Sequence, residues 1–212
     1  MDKKYELTDS SIGWGGKKIF RIKALRSFWD VKEGDIGGYV EKEENLSHSG
    51  NAWVYGNAWV YDNANVSGDA KVSGDAKVYG NAKVSDNASI SDNASIADNA
   101  QVYGYARVSG NASVLDNTRV YGNARVYGNA IVYGDARLSA NLIYSKGWFI
   151  GGDDTGKITK LTKEQVWNTY WWHNYVLWDF EINQIKEESG KTDTDNEIIV
   201  LNGKKYKLCE YV

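Results

Sequence analysis

The residues able to do chemistry are few and widely separated in this sequence. The 212-residue chain contains two histidines, His48 and His173, and one cysteine, Cys209. Three such residues do not form the compact ligand set of a zinc site. The pair Asp153-Asp154 follows two glycines but does not match the spacing of an EF-hand, and a solvated turn accounts for it. We therefore expect no bound metal and no cofactor.

Composition and charge exclude several functional classes. Acidic and basic residues nearly balance, with a net charge of −3, so the chain as a whole does not attract nucleic acid or an anionic membrane. No window approaches the ~20 apolar residues of a membrane helix, and the start of the chain lacks the apolar run of a signal peptide. The segment GWGGKK at residues 13–18 lacks the spacing of a phosphate-binding loop. We expect a cytoplasmic protein for which direct nucleic-acid binding is unsupported.

A six-residue repeat organises the middle of the chain. From Ala52 to Ala136 a small residue recurs at every sixth position, fifteen times without insertion or deletion, and Thr118 is the one departure from alanine. An aliphatic residue follows two positions after each small residue. Since side chains alternate between the faces of a strand, both must face a core. Each hexad continues with Gly or Asp and then, in most hexads, Asn or Asp. These residue types tolerate the positive φ of a corner.

The repeat predicts a solenoid. Three hexads close one triangular coil of eighteen residues, so fifteen hexads predict about five coils. The repeat over residues 50–141 resembles the hexapeptide-repeat family, whose fold is a left-handed parallel β-helix. The resemblance supplies the left-handed sense, because crossover connections are generally right-handed, and a right-handed solenoid is the alternative. The predicted fold class is mostly β: a left-handed parallel β-helix with an N-terminal cap and a small C-terminal α+β domain.

The first part of the chain carries a second resemblance. A Gly-Asp-x-Gly-Gly-aromatic-Val-Glu motif at residues 34–41 and the pair Asn45-Leu46 lead into the repeats. This arrangement resembles the opening of uncharacterised phage and prophage proteins with GNA repeats, which implies a genetic context but no reaction. We predict that residues 1–49 cap the solenoid, because an open end would expose unpaired strand edges and core.

Residues 142–212 are predicted to form a separate Trp-rich α+β domain. A helix is predicted to start near Thr162, although NYVLWDFEI also fits a strand, and EIIVLNGKKYKL predicts a hairpin that turns at Asn202-Gly203. The tryptophans of this segment either form the core of a small domain or remain exposed as interface anchors. The predicted partner-binding residues are Trp148, Trp167, Trp171, Trp172 and Trp178.

The period of eighteen sorts the outward side chains of the coils into three columns. One column consists of Trp53, Lys71, Ser89, Arg107 and Arg125, and a second of Asn65, Lys83, Gln101, Arg119 and Arg137. The third column is the least charged, and an exposed apolar patch typically marks an interface. We predict that this column packs between subunits, and the hexapeptide resemblance implies a homotrimer. The predicted interface residues are Trp59, Tyr61, Tyr79, Leu115, Ile131 and Tyr133.

Enzymes with hexapeptide repeats are commonly acyltransferases or nucleotidyltransferases, and the resemblance raises the question of catalysis. The acyltransferases use a histidine as general base, near a coil or on a loop that interrupts it. His48 falls where the aliphatic residue of a preceding hexad would lie, and His173 lies in the Trp-rich segment, so structural roles are expected for both. The uninterrupted hexads leave no loop to shape a donor pocket.

These features together predict a non-catalytic binding protein. A trimeric scaffold would present the C-terminal domain to a host protein, first of all a bacterial defence nuclease or its complex, as in CRISPR inhibition. The alternative is sequestration of a small nucleotide or sugar between subunits, held by Tyr61, Tyr79, Tyr133, Arg119 and Arg137. An acyltransferase is the third hypothesis and a structural virion component the fourth.

Overall fold

A computed structural model describes residues 3–139 together with the backbone of five later strands. These strands are β18 (Ile143–Gly151), β19 (Ile158–Lys160), β20 (Ile185–Glu187), β21 (Ile198–Leu201) and β22 (Lys204–Leu208). Several predictions concern residues outside this part: the helix near Thr162, the Asn202-Gly203 turn, and residues Asp153, Asp154, Trp167, Trp171, Trp172, His173, Trp178 and Cys209. The side chain of Trp148 lies outside it as well.

The hexads fold into a parallel β-solenoid, as predicted. The first twelve hexads each form a two-residue strand made of the outward residue and the following aliphatic residue. These are β4 (Trp53–Val54), β5 (Trp59–Val60), β6 (Asn65–Val66), β7 (Lys71–Val72), β8 (Lys77–Val78), β9 (Lys83–Val84), β10 (Ser89–Ile90), β11 (Ser95–Ile96), β12 (Gln101–Val102), β13 (Arg107–Val108), β14 (Ser113–Val114) and β15 (Arg119–Val120). Two further strands follow, β16 (Arg125–Gly134), which spans two hexads, and β17 (Arg137–Leu138).

Strands one coil apart pair in parallel and build three walls. Wall A contains β4, β7, β10, β13 and the start of β16. Wall B contains β5, β8, β11, β14 and the end of β16. Wall C contains β6, β9, β12, β15 and β17.

The corners between the walls depend on one position of the hexad. The Gly or Asp that precedes the corner Asn has a positive φ in all fifteen hexads, for example 59° at Gly56 and 60° at Asp62. Glycine adopts this left-handed conformation freely, and aspartate tolerates it better than most residues. The predicted turn chemistry is therefore confirmed.

The core lies inside the coils and consists of stacked alanines and aliphatic residues. The side chains from Ala52 and Val54 to Ala136 and Leu138 are fully buried, and Thr118 takes an alanine place with its hydroxyl 3.5 Å from the Gly134 carbonyl oxygen. Burying a valine contributes about 1.5 kcal/mol or more. The Ala-x-Val pattern thus specifies both strand position and core.

The N-terminal segment forms a hairpin and then joins the solenoid. Strands β1 (Tyr5–Trp14) and β2 (Lys17–Ala24) pair antiparallel, and β2 pairs antiparallel with β3 (Ile36–Val40). Strand β3 then pairs in parallel with β5 of wall B. A short 3-10 helix (Glu43–Asn45) precedes Leu46, which bridges to Val66 of wall C.

Parallel pairing also continues beyond the last hexad. Strand β18 pairs in parallel with β16, with Trp148 opposite Ile131, and β19 pairs antiparallel with β18. The solenoid therefore has about six turns instead of the predicted five, because β3 and β18 stack on it without the Ala-x-Val pattern. A separate sheet has the order β20, β22, β21, and the antiparallel pair of β21 and β22 agrees with the predicted hairpin. No helix in the described part is long and apolar enough to cross a membrane.

Candidate functional surfaces

The N-terminal cap closes the first coil by donating hydrogen bonds to its carbonyl groups. The backbone N–H of Tyr39 donates to Ala58, and that of Ser47 donates to Val66. The side chain of the buried Asn45 donates to the carbonyl oxygen of Ala64 at 2.7 Å. An unpaired buried carbonyl costs about 1–3 kcal/mol, so these donors protect the open end.

The glycine pair of the motif at residues 34–41, Gly37 and Gly38, is required by this closure. A Cβ atom on Gly37 would lie 2.6 Å from Ile22 Cγ1, and one on Gly38 would lie 2.6 Å from the carbonyl oxygen of Ala58. Glu41 of the same motif accepts a 2.6 Å hydrogen bond from the backbone N–H of Asp62. The motif therefore holds the cap against the first coil, and its described contacts are structural.

His48 belongs to the cap and not to the coil interior. Leu46, not His48, takes the inward place, because Leu46 pairs with Val66 twenty positions on instead of eighteen. The Nδ1 atom of His48 accepts the Lys4 backbone N–H at 3.1 Å, its Nε2 lies 3.6 Å from Glu43 Oε2, and its ring stacks on Tyr5 at 4.4 Å. The predicted hexad position of His48 is wrong, while these contacts support the structural role expected for it.

Lys4 is a buried cation at the same end. Its Nζ donates to the carbonyl oxygens of Ala52 at 2.8 Å and Gly50 at 3.3 Å, and its side chain is fully buried. Burial, with a smaller contribution from the Arg26 charge, lowers the pKa of Lys4 to about 8. The cap thus uses an amine that is only partly charged near pH 8 to close the coil.

Trp29 is the most exposed tryptophan of the described residues. Its side chain is 63% exposed, and its φ of 43° is a left-handed conformation that a bulky residue rarely adopts. Lys71 Nζ lies 3.9 Å from the ring centroid of Trp29 and 2.8 Å from Asp30 Oδ2. The Tyr55 hydroxyl donates to Asp30 Oδ1 at 2.8 Å, and the hydrogen bond from Lys71 is the main cause that lowers the pKa of Asp30. An exposed ring is therefore held over a paired cation in a strained backbone, a feature found at binding surfaces.

Wall B is covered by the cap at its N-terminal end. Trp14, from the β1–β2 hairpin, packs edge-on against Trp59 at 5.6 Å and is itself 51% exposed. Lys77 Nζ lies 5.0 Å from the Trp59 ring centroid, and Lys17 pairs with Asp62. The outward column that was predicted to be a free apolar face is thus partly occupied by the chain itself.

The six predicted interface residues lie on wall B and its following corner, but their exposure differs from the prediction. Tyr61, Ile131 and Tyr133 are already buried within the single chain, while Trp59, Tyr79 and Leu115 are half-buried. Tyr61 stacks on Tyr79 with ring centroids 5.1 Å apart. The proposed ligand contacts of Tyr61 and Tyr133 therefore have little open ring surface in the single chain.

Trp53 also departs from its predicted outward position. It heads the column on wall A but is fully buried, because Phe28 and Tyr5 of the cap pack against its ring at 5.4 and 6.1 Å. The sequence predicts partner-binding tryptophans in the C-terminal segment and does not indicate that Trp14 and Trp29 are exposed. Their position next to glycine and a turn gave no periodic signal that would mark them as exposed.

The corner between walls C and A changes character along the axis. On this corner Asp69 and Asp86 belong to the earlier coils, and no aspartate follows them. Over all walls and corners, residues 50–98 carry six aspartates and three lysines, whereas residues 99–139 carry two aspartates and four arginines. The later coils of this corner carry three tyrosines as well. We name this set the arginine corner: Tyr103, Tyr105, Arg107, Arg119, Tyr121, Arg125 and Arg137. All four arginine side chains are exposed.

Fold and surfaces together define a β-solenoid repeat protein with a closed N-terminal end. Comparison with protein families gives a match to the YdcK beta solenoid repeat over residues 118–134 and 124–140, within the last coils. Comparison with curated proteins gives no match. Among residues 3–139 no cluster of histidine, cysteine and carboxylate side chains has the grouping needed to hold a metal ion.

Proposed function

We propose that this chain is a non-catalytic binding protein. In this proposal the solenoid is a left-handed, trimerising scaffold, and its ends carry the aromatic residues that contact a host macromolecule. The observation that carries it is Trp29, an exposed ring fixed by Lys71 and Asp30 in a strained conformation. Exposed tryptophans on rigid supports are typical of binding hot spots.

The proposed partner is a host protein. The phage-like motif at residues 34–41 suggests a phage or prophage context, and in that setting interference with a bacterial defence system is the first expected purpose. A trimer would present three copies of the C-terminal segment, and linked copies raise the apparent affinity without new contacts.

The coil wall supports binding over catalysis. The hexads run from residue 50 to residue 139 without an inserted loop, and their interior is filled by alanine and aliphatic side chains. A ligand therefore has to bind on the outside of this part. His48, the histidine of the described residues, is packed in the cap between Tyr5 and Glu43.

Native mass spectrometry of the tagged protein recovered from bacterial lysate tests the proposal. We expect a trimer carrying a stoichiometric host protein, and loss of that protein in Trp29→Ala or after truncation behind Lys160. The cut is placed there because β18 and β19 pair with the solenoid. Ile36→Thr is the control, since it removes an exposed apolar side chain of the cap other than Trp29.

Three outcomes would contradict the proposal. A bare monomer would exclude the trimer interface. A host complex that survives both the Trp29→Ala change and the truncation would exclude the assigned contacts. Turnover of acetyl-CoA by the purified protein would establish an enzyme instead. A plaque assay on a CRISPR-immune host that expresses the chain then tests the defence target, and unchanged immunity argues against it.

A further inference from the structure

The arginine corner differs from the rest of the solenoid in how its charges are arranged. Arg107 lies directly opposite Arg125 in the parallel register, and Arg119 lies opposite Arg137. In-register neighbours lie about 4.8 Å apart along the axis, and like charges placed opposite each other destabilise a sheet. The lysines avoid this arrangement, because each is opposite a neutral residue in the following coil, such as Ser89 beside Lys71.

None of the described carboxylates forms an ion pair with these arginines. Within residues 3–139 no ion pair to any of the four arginines is found, whereas Lys71 is paired with Asp30 and Lys17 with Asp62. The last aspartate before the patch on this corner is Asp86, whose Oδ2 accepts the Gly104 backbone N–H at 3.0 Å. The corner residues 103–105 and 121–123 contain no acidic residue at all. The patch is therefore a local positive surface on a chain of net negative charge.

Aromatic rings lie between the two arginine pairs. Tyr103 and Tyr121 stack with ring centroids 5.3 Å apart and an interplanar angle of 8°. Tyr105 is 65% exposed and occupies the corner place that every other hexad fills with Asn or Asp. Asparagines at two other corners form ladders, such as Asn93 to Asn111 at 3.1 Å, which a tyrosine cannot continue. At this position an exposed ring therefore stands where Asn or Asp would suit the fold better.

We propose that the arginine corner binds single-stranded nucleic acid. Arginines that lack a protein counter-ion attract phosphate, and an exposed tyrosine offers a face on which an unpaired base stacks. Arginine alone would suit any anion, including an acidic protein surface, but the exposed ring between the two pairs favours a ligand with planar groups. The near balance of acidic and basic residues over the whole chain gives no support for nucleic-acid binding. That balance is an average, and it conceals the local separation of charge at the arginine corner.

This inference does not rest on the proposed function, since it concerns a surface away from the cap and can be tested without a host protein. The experiment is fluorescence anisotropy of a labelled (dT)20 strand titrated with the full-length chain at several salt concentrations. If all four arginines contact phosphate, the slope of log K against log salt is roughly −3.

The variants use residues that the repeat already accepts in the same columns. Arg107→Ser follows Ser89, Arg119→Gln follows Gln101, and Tyr105→Asn restores the corner consensus. We expect Tyr105→Asn to weaken binding about tenfold with an unchanged salt slope, because stacking releases no counter-ions. The double arginine variant should reduce the magnitude of the slope by roughly 1.4. Lys83→Gln, which removes one charge from the column of Arg119 outside the patch, should leave both quantities unchanged.

Several results would overturn the proposal. One is the absence of (dT)20 binding at low salt, and another is binding that none of the arginine or tyrosine variants weakens. Equal competition by a duplex of the same length would exclude the stacking contact. In a further contrary outcome, poly-L-glutamate competes as well as (dT)20 while Tyr105→Asn binds (dT)20 as tightly as the wild type. That pair of results would show that the corner binds anions in general and has no specificity for nucleic acid.

Discussion

The N-terminal end and the later coils of the described solenoid use charged and aromatic side chains in opposite ways. At the N-terminal end, Lys71 and Lys77 lie under tryptophan rings of the cap, and Lys4 donates to the first coil. In the later coils, the four arginines are exposed and opposite one another, and Tyr105 projects into solvent. Side chains of the first group are committed to contacts within the fold, whereas those of the second group have no described structural task.

This difference shows where function and folding compete. A solenoid end must satisfy carbonyl groups that the interior coils satisfy by pairing, so polar residues near the cap are committed to structure. A middle coil is closed by its neighbours above and below. Its outward positions are free to vary, and departures from the repeat there are informative about binding.

The largest expected effect is at Gly38. Replacing it by alanine puts a Cβ 2.6 Å from the Ala58 carbonyl oxygen, which already accepts the Tyr39 N–H. Overpacking and a lost hydrogen bond should together reduce the free energy of unfolding by about 3 kcal/mol, measured by urea denaturation. Gly13→Ala is the control, because no atom lies within 4 Å of its added Cβ. Equal stability of the two variants would contradict the closure role of the motif.

The cap should also give the protein an unusual pH dependence. The pKa of Lys4 is about 8 in the folded state against 10.5 unfolded, so between these values the unfolded chain binds more protons. Stability should rise from pH 8 towards pH 10 by up to roughly 3 kcal/mol. Above pH 10 it should fall, because burial raises the pKa of Tyr5 and of Tyr55, which ionise first in the unfolded chain.

Comparison with a Lys4→Met variant isolates this contribution. Urea unfolding of both proteins at pH 7, 8, 9 and 9.8 should give a rising difference in favour of the wild type. A difference independent of pH would mean that Lys4 is not desolvated, and would weaken the contrast between the N-terminal end and the later coils.

A smaller loss is expected at Asn45. Its amide nitrogen donates to the carbonyl oxygens of Asp62 and Ala64, and its amide oxygen accepts the Lys42 N–H. Asn45→Ala leaves the buried Ala64 carbonyl and the two part-buried groups without these partners and should cost about 2 kcal/mol. Asn99→Ala, which breaks only exposed ladder contacts, is the comparison, and thermal unfolding should separate the two. A loss as large in Asn99→Ala would mean that the ladders matter as much as the cap.

The smallest effect on stability is expected in the arginine corner. Arg119→Gln should change the free energy of unfolding by less than about 0.5 kcal/mol, or raise it slightly, because it removes a like-charge neighbour of Arg137. The measurement is urea denaturation at low salt. A marked loss of stability would assign a structural task to the arginines and remove the contrast on which their proposed binding role depends.

Much of the solenoid is predictable because it depends on local periodicity. Ala52 and Val54 face inward because their spacing matches the alternation of a strand, and Gly56 or Asp62 turns the corner because of its backbone preferences. The cap is not periodic, so the same reasoning misplaced His48. The two-residue shift that brings Leu46 inward becomes visible only when β3 is paired with β5.

The outward surfaces were likewise predictable only where they depend on the period of the repeat. The column of wall B was recognised as apolar from its period, but its exposure could not be read from the sequence, since Trp14 of a distant hairpin covers Trp59. The same holds for Trp53, which the cap buries. Trp29 gave no signal because its exposure and its positive φ arise from a single tight turn.

The sequence by itself determined the coil: the six-residue spacing, the inward pairs and the corner residues each act within one hexad or between identical neighbours, so local rules suffice. Only the tertiary structure decided which outward residues reach solvent, because a cap folded from residues 3–48 covers some columns and leaves others open. The arginine corner depends on both the sequence period and the tertiary structure. Its arginines share two columns by period, but that they form no ion pair within residues 3–139 depends on what packs nearby.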